Sequence, residues 1–528
     1  MYVVSYLLPL LLFIPHISLH VLFTSIQDLK SSVYIESDMV KALKTYLSGE
    51  AVRIDKLKRF LNEVDSIRHS DRLDDSTEDY LDNPINAFYM IRRLHITWEG
   101  IIASTLTLEN YKDFLSRIRT PIISKKEDFE GALDAILRLQ RVYNLTIEDI
   151  VVGNIWGNIA YQPLCPQNCR VIGERVLQIG YFNQAQKWLQ YVVNLNARNN
   201  DNDTYDMDLD ESLAYSYFFN GNWVAALEKI QSILNEGDPL RFTRMNQLKH
   251  QALMNHQEGK EGIVMNRPWD DPVYHKLCRG QQEIQQPSSD SSSMYCKYTH
   301  GGSFVLLLQP YKMEVLRMDP LIALYYDVIS DKEIGVIKTL AVPKMATSVT
   351  IGKDGIQTPS TDIRVSKGAW LKDEENVVVR RVDKRIEYLT GLSTLEPDHA
   401  EQLQVVNYGI GGQYDPHYDF KKDVGEDKNM VDYIHASQNR IATWMFYLSD
   451  VDAGGYTAFT AIKTIVKPIK NAAVFWWNLL PSGERDYRTL HAACPVLLGS
   501  KWVANKWIHN GGQEFRRPCN LAPDKGDT

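Results

Sequence analysis

At 528 residues, with 44% hydrophobic and 23% charged residues, the chain has ordinary globular composition but is too long for one core. Two to four domains are expected. A formal net charge of −8 and the lack of any basic tract exclude nucleic acid as the main partner.

The apolar run from Tyr2 to Ile14, interrupted at Pro9, is too short to span a bilayer and predicts a secretory signal over residues 1–20. No later stretch reaches spanning length, and Asp524–Thr528 is not a known endoplasmic reticulum retention signal. Residues 21–150 read as helical. Over 25–70, Val40, Leu43, Leu47, Ile54, Leu57, Leu61 and Val64 recur at 3–4 spacing, with Glu50 beside Gly49 in the same seam. That pattern fits a coiled-coil dimerisation helix, or equally an amphipathic helix packed within its own domain. A second helical stretch opens at Asn83-Pro84.

Residues 151–255 contain two related segments. One runs from Ile172 through Gly180-Tyr181, Ala185 and Trp188, the other from Leu213 through Gly221-Asn222-Trp223, Ala226 and Ile230. Helix, glycine turn and helix with small and aromatic packing residues make a tetratricopeptide-like pair, which suits an extended peptide. Tyr215, Tyr217, Phe218 and Phe219 cluster there, and aromatic faces suit the rigid rings of a polyproline II ligand. Tyr215 and Phe218 are placed on one helical face.

Residues 256–320 read as a linker region, with the polar, serine-rich stretch Gln281–Ser293 between Cys278 and Cys296. Over 321–520 the pattern changes. Ser330-Asp-Lys-Glu333 is a capping box, and a second amphipathic helix covers Glu374–Leu389, ending near Gly391. Short strands follow at Leu403–Tyr408, Ile441–Leu448, Ala473–Asn478 and Trp502–Ile508. The expected class is α+β and multidomain, with a C-terminal jelly roll (double-stranded β-helix) carrying supporting helices and a tail at 521–528.

The segment Tyr414-Asp-Pro-His417-Tyr-Asp419 carries the chemistry. In a strand, i and i+2 share a face, so His417 and Asp419 can reach one metal ion. His491, on a neighbouring strand, is the candidate third ligand. Two histidines and a carboxylate on one octahedral face leave positions open, the non-haem Fe(II) oxygenase arrangement. Lys501, ten residues on, begins the next strand; a lysine buried in a barrel needs an anion, and a 2-oxo diacid would supply one.

The six cysteines fall in local pairs: Cys165/Cys169, Cys278/Cys296 and Cys494/Cys519. Cys-x3-Cys without a second half is not a zinc pattern, and a secreted context suits disulfides. Asn144-Leu-Thr and Asn202-Asp-Thr are glycosylation sequons.

Several long segments resemble the α subunit of animal collagen prolyl 4-hydroxylase. They are Asn407-Tyr-Gly-Ile-Gly-Gly-Gln-Tyr-Asp-Pro-His-Tyr-Asp-Phe, Asn439-Arg-Ile-Ala-Thr-Trp, His491-Ala-Ala-Cys-Pro-Val, Lys501-Trp-Val-Ala-Asn-Lys-Trp and Gln513-Glu-Phe-Arg-Arg-Pro-Cys519. Phe23-Thr-Ser-Ile, Asn83-Pro-Ile-Asn-Ala-Phe, Leu277-Cys-Arg-Gly and Arg364-Val-Ser-Lys-Gly-Ala-Trp extend the likeness over nearly the whole chain.

The resemblance implies Fe(II) on His417, Asp419 and His491, and Lys501 paired with the C5 carboxylate of 2-oxoglutarate. Tyr408 and Thr457 would be further contacts to that cosubstrate. It also implies O2 as oxidant, L-ascorbate as rescuing reductant, and hydroxylation at C4 of a peptidyl proline in procollagen-like chains. Protein disulfide isomerase would be the β subunit of an α2β2 assembly in the endoplasmic reticulum lumen, and the disulfides would be Cys278–Cys296 and Cys494–Cys519. Two departures stand out. Tyr456-Thr-Ala-Phe-Thr460 replaces a stretch that usually carries proline and acidic residues, and Ser212 and Phe218 stand where tyrosines are expected beside Tyr215 in the groove. The competing readings are the same chemistry on a non-collagen secreted substrate, a non-catalytic peptide-binding subunit, and a metal-dependent hydrolase or isomerase on a cupin-like barrel.

Overall fold

The computed structural model describes residues 26–47, 54–68, 81–105, 126–198, 206–263, 271–281, 295–351, 357–359, 363–421 and 439–519. The expected signal segment, Asn202, the Gln281–Ser293 stretch apart from Gln281, and the tail lie outside these residues.

The N-terminal half is helical. Helices α1 (Ile26–Leu47) and α2 (Ile54–Arg68) take the place of the single helix read over 25–70. Val40, Leu43, Leu57, Leu61 and Val64 of the seam are buried within this one chain, against residues such as Phe88 and Trp98. A buried pair fixes the docking: Arg93 donates from Nε to Glu36 Oε1 of α1 at 2.9 Å. Of the two readings of the seam, intradomain packing describes these side chains. Helix α3 (Pro84–Arg92) begins where Asn83-Pro84 indicated; the Asn83 side chain accepts from Ile85 N, with proline in the first turn. A π turn joins it to α4 (Trp98–Thr105), and α5 (Lys126–Tyr143) packs on α3.

Two helical hairpins follow: α6 (Pro166–Gln178) with α7 (Phe182–Arg198), and α8 (Met207–Phe219) with α9 (Trp223–Asn235). Their turns use Gly180 and Gly221 at φ of 90° and 78°. Gly221 also packs against Gly262, where an added Cβ would stand 2.6 Å from backbone. Helices α10 (Pro239–Gln257) and α11 (Pro272–Cys278) complete this half. Among the described residues no helix is long and apolar enough to cross a membrane.

The C-terminal half is two facing antiparallel sheets. Its strands are β1 (Cys296–Thr299), β2 (Tyr311–Arg317), β3 (Ile322–Tyr326), β4 (Ala346–Thr347), β5 (Arg364–Val365), β6 (Lys367–Leu371), β7 (Leu403–Tyr408) and β8 (Gln413–His417). The rest of the two sheets are β9 (Arg440–Tyr447), β10 (Thr457–Phe459), β11 (Thr464–Val466), β12 (Ala473–Trp477), β13 (His491–Ala493) and β14 (Lys501–His509), and two short ladders, Val349–Ile351 with Gln357–Pro359 and Ala453–Gly454 with Val496–Leu498, lie outside them. The larger sheet runs β1-β2-β3-β12-β9-β14-β7-β6-β4, the smaller β11-β10-β13-β8-β5. The sheet thus begins at Cys296, inside the stretch read as a linker, because Met313 and Val315 alternate into its core.

Alternation builds the layers. On β14, Val503 faces the core between the sheets while Trp502, Ala504 and Ile508 face the opposite core. On β9, Met445 and Tyr447 point inward and Trp444 and Phe446 outward. The outer core is closed by α12 (Asp331–Ala341), started by the Ser330–Glu333 capping box, and α13 (Val377–Thr390), stopped by Gly391 at φ 73°. The smaller sheet turns Val365, Ala458, Ala492 and Cys494 toward the helical half and shares its core.

The expected disulfides are corrected. Cys278, at the buried end of α11, is bonded to Cys494, just past β13, with Cα atoms 5.4 Å apart. Cys296 and Cys519 are exposed free thiols, as is Cys165, while Cys169 is buried. Cys296 opens β1 at the far edge of the larger sheet, whereas α11 packs on the smaller one, so sequence proximity is a poor guide here. Asn144 is exposed, with a left-handed φ of 54°, a conformation asparagine tolerates.

Candidate active site

His417 ends β8 and His491 begins β13, and the two are direct partners across the strand pair. Asp419 lies past the end of β8, so strand alternation does not bring it to His417. The register shifts between Tyr414 and His417, and this bulge turns His417 to the side of Tyr414. Their rings stack at 3.5 Å. Ligand atoms of His417, Asp419 and His491 lie within 4.8 Å of one another. Each histidine Nε2 stands 3.7 Å from a different Asp419 oxygen.

The surroundings prepare these groups. Nδ1 of His417 lies 2.7 Å from the Asp415 carbonyl and Nδ1 of His491 3.0 Å from that of Thr489. With Nδ1 donating to a carbonyl, Nε2 carries the lone pair a metal needs. Thr443 on β9 donates to Asp419 Oδ2 at 2.7 Å and accepts from Asn478 at 2.9 Å. Arg440 donates to the Asp419 carbonyl at 3.3 Å while its guanidinium sits 3.8 Å over Trp507. Burial, reinforced by the neighbouring His491, lowers the His417 pKa to about 3, so the imidazole is neutral. Burial alone would raise Asp419, but His491, His417, Arg440 and Thr443 outweigh it and hold the carboxyl at about 2. A neutral imidazole and an ionised carboxylate are the forms that ligate iron.

Lys501 opens β14 opposite Tyr408 of β7 and is 1% exposed. Its ammonium has no hydrogen-bond partner among the described residues, and burial lowers its pKa to about 7. Nζ stands 5.7 Å from the Tyr408 ring and 5.8 Å from the Tyr447 ring. Tyr447 hydroxyl and Thr457 Oγ1 are hydrogen-bonded at 2.9 Å. An orphaned buried ammonium fits a dianion with one free carboxylate, and the three-ligand face fits Fe(II) with sites left for a bidentate 2-oxo acid.

Tyr408 and Thr457 are therefore brought to the region of Lys501, as read from the sequence. Sequence reasoning missed Tyr447, Thr443 and the Tyr414 stack. Thr443 had a signal: it is a hydroxyl on the strand face otherwise carrying Met445 and Tyr447. In the helical half, Phe218 is corrected. It is 7% exposed and edge-on to Trp223 in a small core. Its neighbour Phe219 takes the surface position, stacked between Phe182 at 4.6 Å and half-buried Tyr215 at 6.3 Å. The i, i+4 spacing of Tyr215 and Phe219 sets that face.

Residues 25–157 match the model of the prolyl 4-hydroxylase alpha-subunit N-terminal region, and residues 403–509 that of the 2OG-Fe(II) oxygenase superfamily. The chain is 37% identical over 530 residues to prolyl 4-hydroxylase subunit alpha-3 of Bos taurus, covering 95% of this chain and 94% of the relative. It is 34% identical over 522 residues to subunit alpha-1 of Homo sapiens, covering 95% and 96%. A crystal structure of a viral collagen prolyl hydroxylase from Paramecium Bursaria Chlorella virus-1, in complex with 2OG, covers 36% of this chain and 94% of its own at 27% identity; its TM-score of 0.27 adds no argument. By length and identity of match, the chain belongs to the family of prolyl 4-hydroxylase alpha subunits, and its C-terminal half is an Fe(II)- and 2-oxoglutarate-dependent oxygenase.

Proposed function

We propose that the chain is the catalytic subunit that hydroxylates C4 of peptidyl proline in procollagen-like chains. The observation that carries this reading is the His417–Asp419–His491 face together with a buried Lys501 ammonium that has no hydrogen-bond partner among the described residues. Fe(II) and 2-oxoglutarate supply the chemistry: O2 is split between succinate, formed with CO2, and the hydroxyl placed on proline. His417, Asp419 and His491 hold the iron, and Asp415, Thr489 and Thr443 fix how they face it. Lys501 binds the C5 carboxylate, with Tyr408, Tyr447 and Thr457 around it. Phe459 and Trp476 pack on the His491 ring at 5.6 and 4.8 Å and keep water from that side.

The peptide is gripped on the ladder of Phe182, Phe219 and Tyr215 of tetratricopeptide-like hairpins, where proline rings stack at little ordering cost. The relatives' names make them subunits, and protein disulfide isomerase as β subunit of an α2β2 enzyme in the endoplasmic reticulum lumen is the assembly we propose. L-ascorbate rescues iron oxidised in idle turnovers. The test uses the chain co-expressed with protein disulfide isomerase and given Fe(II), ascorbate, 2-oxoglutarate and a Pro-Pro-Gly repeat peptide. Succinate and a one-oxygen mass gain on proline, both lost in His417→Ala, are expected. Succinate without peptide oxidation would move the substrate outside collagen; neither product, with iron bound, would overturn the reading.

A further inference from the structure

The chain that leads into the His417 bulge is gripped from outside the oxygenase half. Helix α5 lies against the glycine turn between β7 and β8, so close that a Cβ on Gly411 would stand 2.6 Å from that of Ala135. From the next turn of α5, Arg138 is buried and donates to the Gly411 carbonyl at 2.6 Å. Its charge is felt by Asp415, which lies within the bulge and whose backbone carbonyl engages His417 Nδ1. From α11, the Tyr274 hydroxyl donates to Gln413 Oε1 at 3.4 Å, and Gln413 Nε2 donates to Asp415 Oδ1 at 2.8 Å. The turn that leads into β8 and the strand's first residue, Gln413, which in turn holds Asp415 of the bulge, are thus held by side chains of the helical half. A bulge interrupts its ladder locally; here pairing is broken on the β13 side, while Asp415 N still donates to the Ile363 carbonyl at 2.9 Å.

We infer that Arg138, supported by Tyr274, is a positioning residue for the metal centre: the helical half clamps the Gly411–Gln413 entry to β8, just before the bulge, and so sets the aim of His417. This rests on the metal reading of His417, Asp419 and His491. Groups that orient a ligand typically matter about 10–100-fold in metal affinity. The helical half is then a working wall of the site as well as a peptide-binding arm.

The test is metal affinity, measured on the full chain with its partner by Fe(II) titration under anaerobic conditions and by Co(II) as a redox-inert probe. Arg138→Met is expected to weaken both by roughly 10–100-fold, with far-UV circular dichroism and affinity for a Pro-Pro-Gly peptide unchanged. Arg138→Lys should recover part of the loss, because one ammonium still satisfies the Gly411 carbonyl. Unchanged metal affinity in Arg138→Met overturns the inference. If that variant does not fold, Tyr274→Phe decides, since it removes one hydroxyl: several-fold weaker metal binding supports the clamp, and wild-type affinity refutes it. A wild-type chain that binds neither ion would sink the metal reading and this inference with it.

Discussion

The two halves treat buried charge differently. In the helical half, Arg93 is met by Glu36 and Arg138 by the Gly411 carbonyl. In the oxygenase half, Lys506 is likewise paired with Asp383, but Lys501, equally buried, has no hydrogen-bond or ion-pair partner among the described residues. An ammonium out of water without a counter-charge is costly, and a fold keeps one where something else completes it. Paired burial marks architecture; unpaired burial beside three ligand atoms marks a site.

That contrast can be broken by mutation. The largest effect belongs to the ligands: His491→Ala should lower turnover on the order of 10^3-fold or more and abolish tight Fe(II) binding, while the fold melts as before. Activity and iron titration together check this. Next comes Lys501→Met. Removing one member of a buried charged contact costs about 2–5 kcal/mol, so the KM for 2-oxoglutarate should rise by roughly 30-fold to several thousand-fold. Without ligand the same variant should be no less stable than wild type, because an unpaired charge has been replaced by an apolar stem.

The pH dependence follows from the same lysine. Its folded pKa, lowered to about 7, lies well below the ordinary lysine value, so the unfolded chain binds more protons across that interval. The Lys501 contribution to stability of the ligand-free protein therefore rises with pH above about 7, as the buried ammonium loses its proton. Affinity for 2-oxoglutarate should run the other way and weaken as that proton is lost. Thermal melts and ligand titrations across pH 6–9 check both signs.

Thr443→Val, which strips the hydroxyl from Asp419, should cost roughly 10–100-fold in metal affinity, read by the same titration. The smallest effects separate the two rings of the helical half. Tyr215→Ala should weaken binding of a proline-rich peptide by roughly 2–10-fold, about the worth of one aromatic contact, without a change in melting. Phe218→Ala should instead destabilise its small core by roughly 3–5 kcal/mol, seen in denaturant unfolding. A Phe218→Ala protein that folds normally and loses only peptide affinity would return that ring to the groove.

Much of the site was legible because its chemistry is written in residue types. His417, Asp419, His491 and Lys501 stand out by spacing, and the capping box at Ser330 and the stop at Gly391 fell where the helices begin and end. What failed was geometry that periodicity cannot carry. The bulge between Tyr414 and His417 breaks strict alternation, so Asp419 reaches the site from beyond the strand. The heptad-like seam of α1 and α2 reads the same whether a second helix or the chain's own domain covers it. The bond between Cys278 and Cys494 spans 216 residues, a separation that no local pairing of cysteines anticipates. One residue's difference on α8 decides whether Phe218 or Phe219 meets the surface, and a propensity argument does not resolve 100° of helix rotation.

The most direct test of the central claim is a turnover under 18O2 with a Pro-Pro-Gly peptide, followed by mass analysis of both products. One labelled atom in the hydroxyl at C4 of proline and one in succinate, in equal amounts, are expected. Hydroxyproline carrying oxygen from water, or product formed without labelled succinate, would contradict the claim.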